Sequence, residues 1–441
     1  MRRHTLLGLL VLAIPTVAAE NAPGFLAGPR AGAVADSLPT TWSPTQNVRW
    51  KADIPGTGWS SPIVWGNRVL VTSAVSDAGL AEPRKGLYIS DLQGKTPPGQ
   101  HSWQVHCLDA TTGKLLWSRE LFAGKMPSSI HIKNSLASET PVTDGKHVWA
   151  YFGNVGLGCL TLDGQVVWKQ KTPTHATRMG WGTGASPALH DGKLFLVHDN
   201  EEKSFLVALD AATGKQLWRV ERKEASNWGT PFVWKNSLRT ELVTAGTERV
   251  RSYDLDGKLL WELRGMSIVS IPTPFAVGDT LYVTSGYVLD PRAKPIYAIR
   301  PGAKGDISLP SGKTSNEFIT WCQWRAGPYH PTPLVVGDLL YVLYDRGFLG
   351  CYEAKTGKEV YASRRIGGGA AAFTASPWSY ADRLFCLGED GDTYVLQTGR
   401  EFKFLARNRL DEMALATPVI AQGSLFLRTQ SKLYCLRQEG K

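Results

Sequence analysis

The chain has little of what usually announces a chemistry. Its 441 residues hold six cysteines, none adjacent to another and none in a C-x-x-C pair, so neither a thiol redox pair nor a standard zinc ligand set is present. No H-E-x-x-H, phosphate-cradling glycine loop or supported Ser-His-Asp set can be found, which removes the commonest hydrolase and nucleotide-binding readings. Asn154-Val155-Gly156 lacks the hydroxyl residue of a glycosylation site. Long apolar runs are missing too. Leu6 to Ile14 is short of the ~20 residues that cross a bilayer. Basic residues outnumber acidic ones, 49 to 39, for a net charge of +10. They are scattered along the chain, and this argues against a nucleic-acid partner.

The short apolar run has another reading. Arg2 and Arg3 precede it and Val17-Ala18-Ala19 follows it. Residues 1–19 therefore read as a secretory signal that leaves no transmembrane anchor once removed, and the expected location is periplasmic or secreted. No cysteine stands near the cleavage point for a lipid. Residues 20–44 are rich in Gly, Ala and Pro and read as a loosely docked arm.

What is abundant is repetition. A Ser-Pro or Thr-Pro pair recurs at Ser61, Thr140, Ser186, Thr230, Thr273, Thr332, Ser376 and Thr417, mostly about 44 residues apart, which is the period of a four-stranded propeller blade. The intervals after Pro62 and Pro274 are longer and contain insertions. Each unit carries short apolar runs, such as Leu194 to Val197 and Phe205 to Leu209. A glycine turn then leads to an aromatic: Gly113 to Trp117, Gly164 to Trp168, Gly214 to Trp218, Gly257 to Trp261, Gly357 to Tyr361, and Gly399 to Phe402 and Phe404. In the fifth unit the turn is swollen by residues 302–316, and Trp321 or Trp324 takes the aromatic place. Glycine supplies the positive φ of a tight hairpin, and the aromatic packs between blades. The eighth unit ends without its outer strand, and residues 47–54 supply one at the other terminus. The reading is all-β: residues 45–441 form one eight-bladed propeller of four-stranded blades, closed by the N-terminal strand. Cys107, Cys159, Cys351 and Cys435 fall at equivalent places on third strands, too far apart to bridge, and read as small buried apolar residues.

The loops entering inner strands and those joining second to third strands reach one face. They place Trp59, Arg178, Trp181, Asn227, Trp228, Tyr329, His330, Asp345, Arg346 and Glu412 around a funnel, where a protein or a small molecule would bind. His131 lies in one of these loops, as a metal ligand or base or as neither. Asp199 and Asp345 are candidate bases. Asp199, Glu201 and Glu389 are candidate metal ligands, with a solvated loop as the plainer reading.

Leu108-Asp109-Ala110-Thr111-Thr112-Gly113-Lys114-Leu115-Leu116-Trp117 and Leu209-Asp210-Ala211-Ala212-Thr213-Gly214-Lys215-Gln216-Leu217-Trp218 closely match the A-x-D-x-x-T-G-K-x-x-W repeat. The chain thus resembles the pyrroloquinoline-quinone (PQQ)-like propeller family over roughly residues 42–437, and the exported PQQ-binding-like repeat proteins in particular. The resemblance implies two kinds of function. One is a PQQ- and calcium-dependent oxidoreductase acting on an alcohol or sugar, with an Asp base and often an adjacent Cys pair beneath the cofactor. Trp181 or Trp228 would then floor the cofactor. The other is a scaffold without PQQ. The Cys pair and the long insertions of the enzymes are missing here. The favoured expectation is an exported, noncatalytic binding or scaffold propeller, with the oxidoreductase as the alternative and PQQ with calcium not favoured as cofactor.

Overall fold

The computed structural model describes residues 21–28, 30–31, 37–79, 82–87 and 92–438. The predicted leader lies outside them. In it the eight repeats become eight antiparallel sheets arranged as propeller blades. The third blade is typical: Ala188–His190, Lys193–His198, Ser204–Asp210 and Gln216–Arg222 follow one another across the sheet. Its two middle strands pair Leu194 with Leu209 and Leu196 with Val207. Neighbouring blades cover both faces of those strands, which is why they are apolar at successive positions rather than at alternate ones. The outer strand has one free face and mixes exposed with covered positions. The core therefore lies between blades. One cluster joins Leu70, Trp103 and Val105 of blade 1 to Val148 and Leu160 of blade 2.

The ring closes as the repeat count requires. Val48–Asp53 pairs antiparallel with Lys432–Leu436, setting Trp50 against Cys435 and Ala52 against Leu433. Blade 8 is thus built from both ends of the chain. The swollen turn of unit five has a different use. Its Gly305–Asp306 segment pairs parallel with Trp261 and Glu262 and covers the outer edge of blade 4. All six cysteines are buried and unbridged.

Two repeated contacts hold the seams. The first joins the turn to the aromatic of the preceding blade at five seams. Trp50 Nε1 donates to Ala110 O (3.0 Å), Trp117 to Leu162 O (3.0 Å), Trp168 to Ala211 O (3.1 Å), Trp218 to Leu255 O (3.0 Å) and Trp321 to Ala354 O (2.9 Å). Trp321, not Trp324, therefore holds the repeat position in unit five. The indole faces lie against the turn glycines, so closely that a side chain on Gly113 would meet Trp50 and one on Gly357 would meet Trp321. Each bond contributes about 1 kcal/mol. Trp261 departs from the pattern and donates to Glu241 Oε2 within its own blade (2.7 Å).

The second contact circles the channel. The backbone N–H of one Ser-Pro or Thr-Pro head donates to the hydroxyl of the next: Ser61 to Thr140, Thr140 to Ser186, Ser186 to Thr230, Thr273 to Thr332, Thr332 to Ser376 and Ser376 to Thr417. The seams between blades 4 and 5 and between blades 8 and 1 lack this bond, and there Thr273 Oγ1 and Ser61 Oγ are buried without a partner.

The described part of residues 20–44 is held more firmly than a loosely docked arm. Ala22 is fully buried and bridges Val64 through two backbone bonds. Pro23 O accepts from Thr143 N–H. Trp42 stacks on Phe385 at 5.8 Å. Composition suggested flexibility, but Phe25 and Leu26 line the apolar channel mouth left by the inner strands, and Leu38 and Trp42 pack into the core cluster of blades 7 and 8. Among the described residues the only helix is one 3-10 turn at Arg178–Gly180, and none is long and apolar enough to cross a membrane.

Candidate functional site

On the face reached by the entering loops, the channel opens into a cavity of about 290 Å³. The head residues Ser61, Ser186, Thr230, Thr332, Ser376 and Thr417 ring it. Trp59, Trp181 and Trp228 form one part of the wall, and Tyr287, Tyr329 and His330 another. Leu87, from the blade 1 insertion, and Val288, from the blade 5 insertion, complete an apolar cluster with these rings.

The wall is rigid because its polar edges are already engaged. Trp59 Nε1 donates to Lys133 O (2.8 Å), Trp181 Nε1 to Leu92 O (2.5 Å) and Trp228 Nε1 to Gly182 O (2.9 Å). Trp181 and Trp228 lie 5.6 Å apart at a 38° tilt. They offer ring faces, not donors, to the cavity. Tyr287 and Tyr329 are 5.2 Å apart, and the Arg178 guanidinium lies 5.7 Å from the Tyr287 ring centre. Burial pushes the Tyr329 phenol well above its ordinary range, so it stays protonated.

His330 is the polar member of this wall. Its Nδ1 is hydrogen-bonded to Asp345. Asp345 also accepts the backbone N–H groups of Tyr329 (3.0 Å) and His330 (3.2 Å). Asp345 thus positions the imidazole and has no oxygen without a donor. At the mouth, Lys133 Nζ reaches Glu389 Oε1 at 2.6 Å and Gly86 O at 3.1 Å. Glu389 also accepts from Gly86 N–H (2.8 Å) and Thr374 Oγ1 (2.6 Å). This buried pair ties the connection between blades 1 and 2 to blade 7.

Of the residues named from sequence, Trp59, Trp181, Trp228, Tyr329 and His330 line the cavity, and Arg178 stands behind Tyr287. The others have different partners. Asp199 is buried in a two-point ion pair with Arg222 (2.8 and 3.0 Å). Burial works against its charge, but with both oxygens on one guanidinium the pair is ionised. Glu201 Oε1 accepts Ser226 N–H (3.1 Å). Asn227 Oδ1 accepts Ser270 N–H (2.6 Å) while its amide binds Ala225 O and Thr247 Oγ1. Glu412 takes Ser431 N–H (3.0 Å) and the Thr429 hydroxyl. Arg346 is exposed beside a separate shallow pocket with Leu87 and Arg365. Sequence reasoning missed Lys133, Leu87 and Tyr287 as site residues. The overlong spacing after Pro62 was the available signal for Leu87 and Lys133; in blade 5 it is the loop 285–295 that brings Tyr287 to the cavity, while residues 302–316 go to the edge of blade 4.

These contacts decide the fit of a calcium-held quinone. A calcium ion takes six to eight oxygens, several of them carboxylate. Here Asp345, Glu389 and Asp199 are each saturated by protein donors and point to three different places. Among the described residues no three His, Cys, Asp or Glu side chains converge as a metal site. The residues present do not fit that centre.

The fold and site define an eight-bladed propeller with an aromatic funnel ringed by serines and threonines. A family profile described as "Outer membrane protein assembly factor BamB" matches residues 153–368. The polyvinylalcohol dehydrogenase of a Pseudomonas species is 25% identical over 261 residues, 55% of this chain and 32% of that protein. The dehydrogenase subunit of the quinone alcohol dehydrogenase of Gluconobacter oxydans is 30% identical over 129 residues, 26% of this chain and 16% of that one. These matches span about a third or less of those relatives' length. Among solved structures, BamB from Moraxella catarrhalis superposes with a TM-score of 0.55 at 13% identity, covering 84% of this chain and 98% of that one. The quinohemoprotein alcohol dehydrogenase from Comamonas testosteroni gives 0.60 at 12% identity, covering 96% and 81%. At such identities the structures share the fold. Together the profile and the relatives make the chain similar to the PQQ-like β-propeller family.

Proposed function

We propose that this chain is an exported, noncatalytic binding propeller that takes a small ring-bearing molecule in its funnel. One observation carries the reading: Asp345, Glu389 and Glu412 are engaged by protein donors, while Trp59, Trp181 and Trp228 line the cavity with their indole N–H groups already bonded elsewhere. At about 290 Å³ the cavity is at the small end of ligand pockets, which run from about 300 to 1,000 Å³. It suits one ring stacked on Trp181 or Trp228, with hydroxyl or carbonyl groups meeting the Ser and Thr ring and His330 Nε2. The leader-like residues 1–19 support a periplasmic or secreted location.

The second reading, a PQQ- and calcium-dependent oxidoreductase, draws on the names of the relatives. Titration of purified protein with PQQ and Ca²⁺, following quinone absorbance and melting temperature, separates the two. Saturable binding with a raised melting point would overturn the first reading. The expected result is no binding at tens of micromolar, together with saturable quenching of tryptophan fluorescence by some members of a panel of monosaccharides and heteroaromatic rings. Trp181→Ala is expected to abolish that quenching. A panel without a binder would sink the small-ligand reading and leave a protein partner at the funnel rim.

A further inference from the structure

The channel holds a second cavity, of about 420 Å³, on the face away from the funnel. Phe25 of the arm lines both cavities, so its ring stands between them. The walls of the lower chamber are inner strands of blades 2 to 6, with Val142, Leu189, Phe232, Phe275 and Leu334 facing the space, and arm residues on the remaining side. One charged residue lines it, Arg30.

Arg30 is anchored by a single nitrogen. Its Nη2 donates to the carbonyls of Thr332 (2.9 Å), Pro333 (3.2 Å) and Pro377 (3.1 Å). Nε is buried without an acceptor, and among the described residues the side-chain bonds of Arg30 all come from Nη2. The guanidinium carbon lies 6.0 Å from the Phe275 ring centre. Among the described residues no carboxylate pairs with Arg30. A cation in an apolar chamber without a counter-charge is costly, and an anion placed beside it offsets that cost. A small, strongly hydrated anion would lose most of its water on walls that are mainly apolar, with Arg30 and the threonines Thr143, Thr230 and Thr273 as their polar residues. A single carboxylate carrying an apolar tail suits both the charge and the lining.

We propose that the lower chamber binds a medium-chain alkyl monocarboxylate, its head on the unpaired Nε and on Nη1 of Arg30 and its tail along Phe232, Phe275 and Leu189. This site is independent of the funnel ligand and of the reading given for it.

The test is a titration of the full chain with decanoate, read by displacement of a dansylated alkyl carboxylate and by melting temperature. Saturable binding is expected below about 1 mM, with decanol at least about tenfold weaker because the charge-assisted contact is lost, and with decylammonium not competing. Arg30→Gln is expected to weaken decanoate about tenfold or more and to leave decanol unchanged. Ala188→Trp narrows the chamber beside Leu189 and leaves Arg30 in place. It is expected to abolish binding of both, which covers the case in which the Arg30 variant loosens the arm. Trp181→Ala, in the funnel, is expected to change nothing. Equal affinity for decanoate and decanol, retention of decanoate binding in Ala188→Trp, or no saturable binding would each overturn the proposal.

Discussion

Gly113 and Gly192 offer a direct measure of the seam between the two ends of the chain. Both are turn glycines with positive φ, +74° and +71°. An alanine in either place carries the strain of a left-handed residue, about 1–2 kcal/mol. The surroundings differ. A Cβ on Gly192 would have nothing within 4 Å, whereas one on Gly113 would lie 2.6 Å from Trp50 Cδ2. Trp50 is buried and bonded to Ala110 O, so it has no room to retreat. Overpacking of that kind costs about 1–3 kcal/mol more. Gly192→Ala is therefore expected to lose about 1–2 kcal/mol, and Gly113→Ala about 2–5 kcal/mol. Urea midpoints at unchanged slope give the totals. Amide hydrogen exchange gives the location. For Gly113→Ala the extra exchange should concentrate in Val48–Asp53 and Lys432–Leu436, the two strands that close the ring. Equal losses in the two variants would refute the reasoning, as would extra exchange spread evenly over all blades.

Two further predictions concern buried charge. Asp199→Ala leaves Arg222 without its counter-ion in a site where both side chains are almost wholly covered, so a loss of about 3–5 kcal/mol is expected by urea titration, with tryptophan quenching by funnel ligands unchanged; a smaller loss accompanied by weaker binding would return Asp199 to the site. Glu139 is fully buried, and desolvation raises its carboxyl from 4.5 to about 7. The folded state then holds a proton that the unfolded state has released between those two values, so this group lowers stability as pH rises from about 4.5 to 7, and the loss is complete above 7. Glu139→Gln is expected to flatten that part of the urea-midpoint profile and to raise stability at pH 8 by up to about 3 kcal/mol. An unchanged profile would refute it.

The blades were legible because their signals are local. A glycine turn, the aromatic that follows it and the apolar runs of the middle strands all fall within one repeat, so count, closure and strand order could be read without knowing any contact. Trp59, Trp181, Trp228, Tyr329 and His330 were placed on the cavity for the same reason, since their distance from each blade head sets where they stand. The polar candidates were not legible. Asp199, Asn227, Glu389 and Glu412 sit in the right loops, but a carboxylate or amide in a loop is spoken for by whichever donor comes nearest. Those donors, Arg222, Ser270, Lys133 and Ser431, are 19 to 256 positions distant.

The amino-acid pattern by itself determined the architecture: eight units, one closed ring, and a strand borrowed from the N-terminal side to finish the last blade. Period, turn chemistry and apolar runs are short-range properties, and a propeller repeats them until the circle is complete. Tertiary structure alone decided what the channel is. Bringing Leu87 of blade 1 and Tyr287 of blade 5 to the funnel, spanning its mouth with Lys133 and Glu389, and laying Phe25 and Arg30 into the opposite end are contacts between residues remote in sequence. Their geometry exists only once the ring has closed and fixed the distances across it.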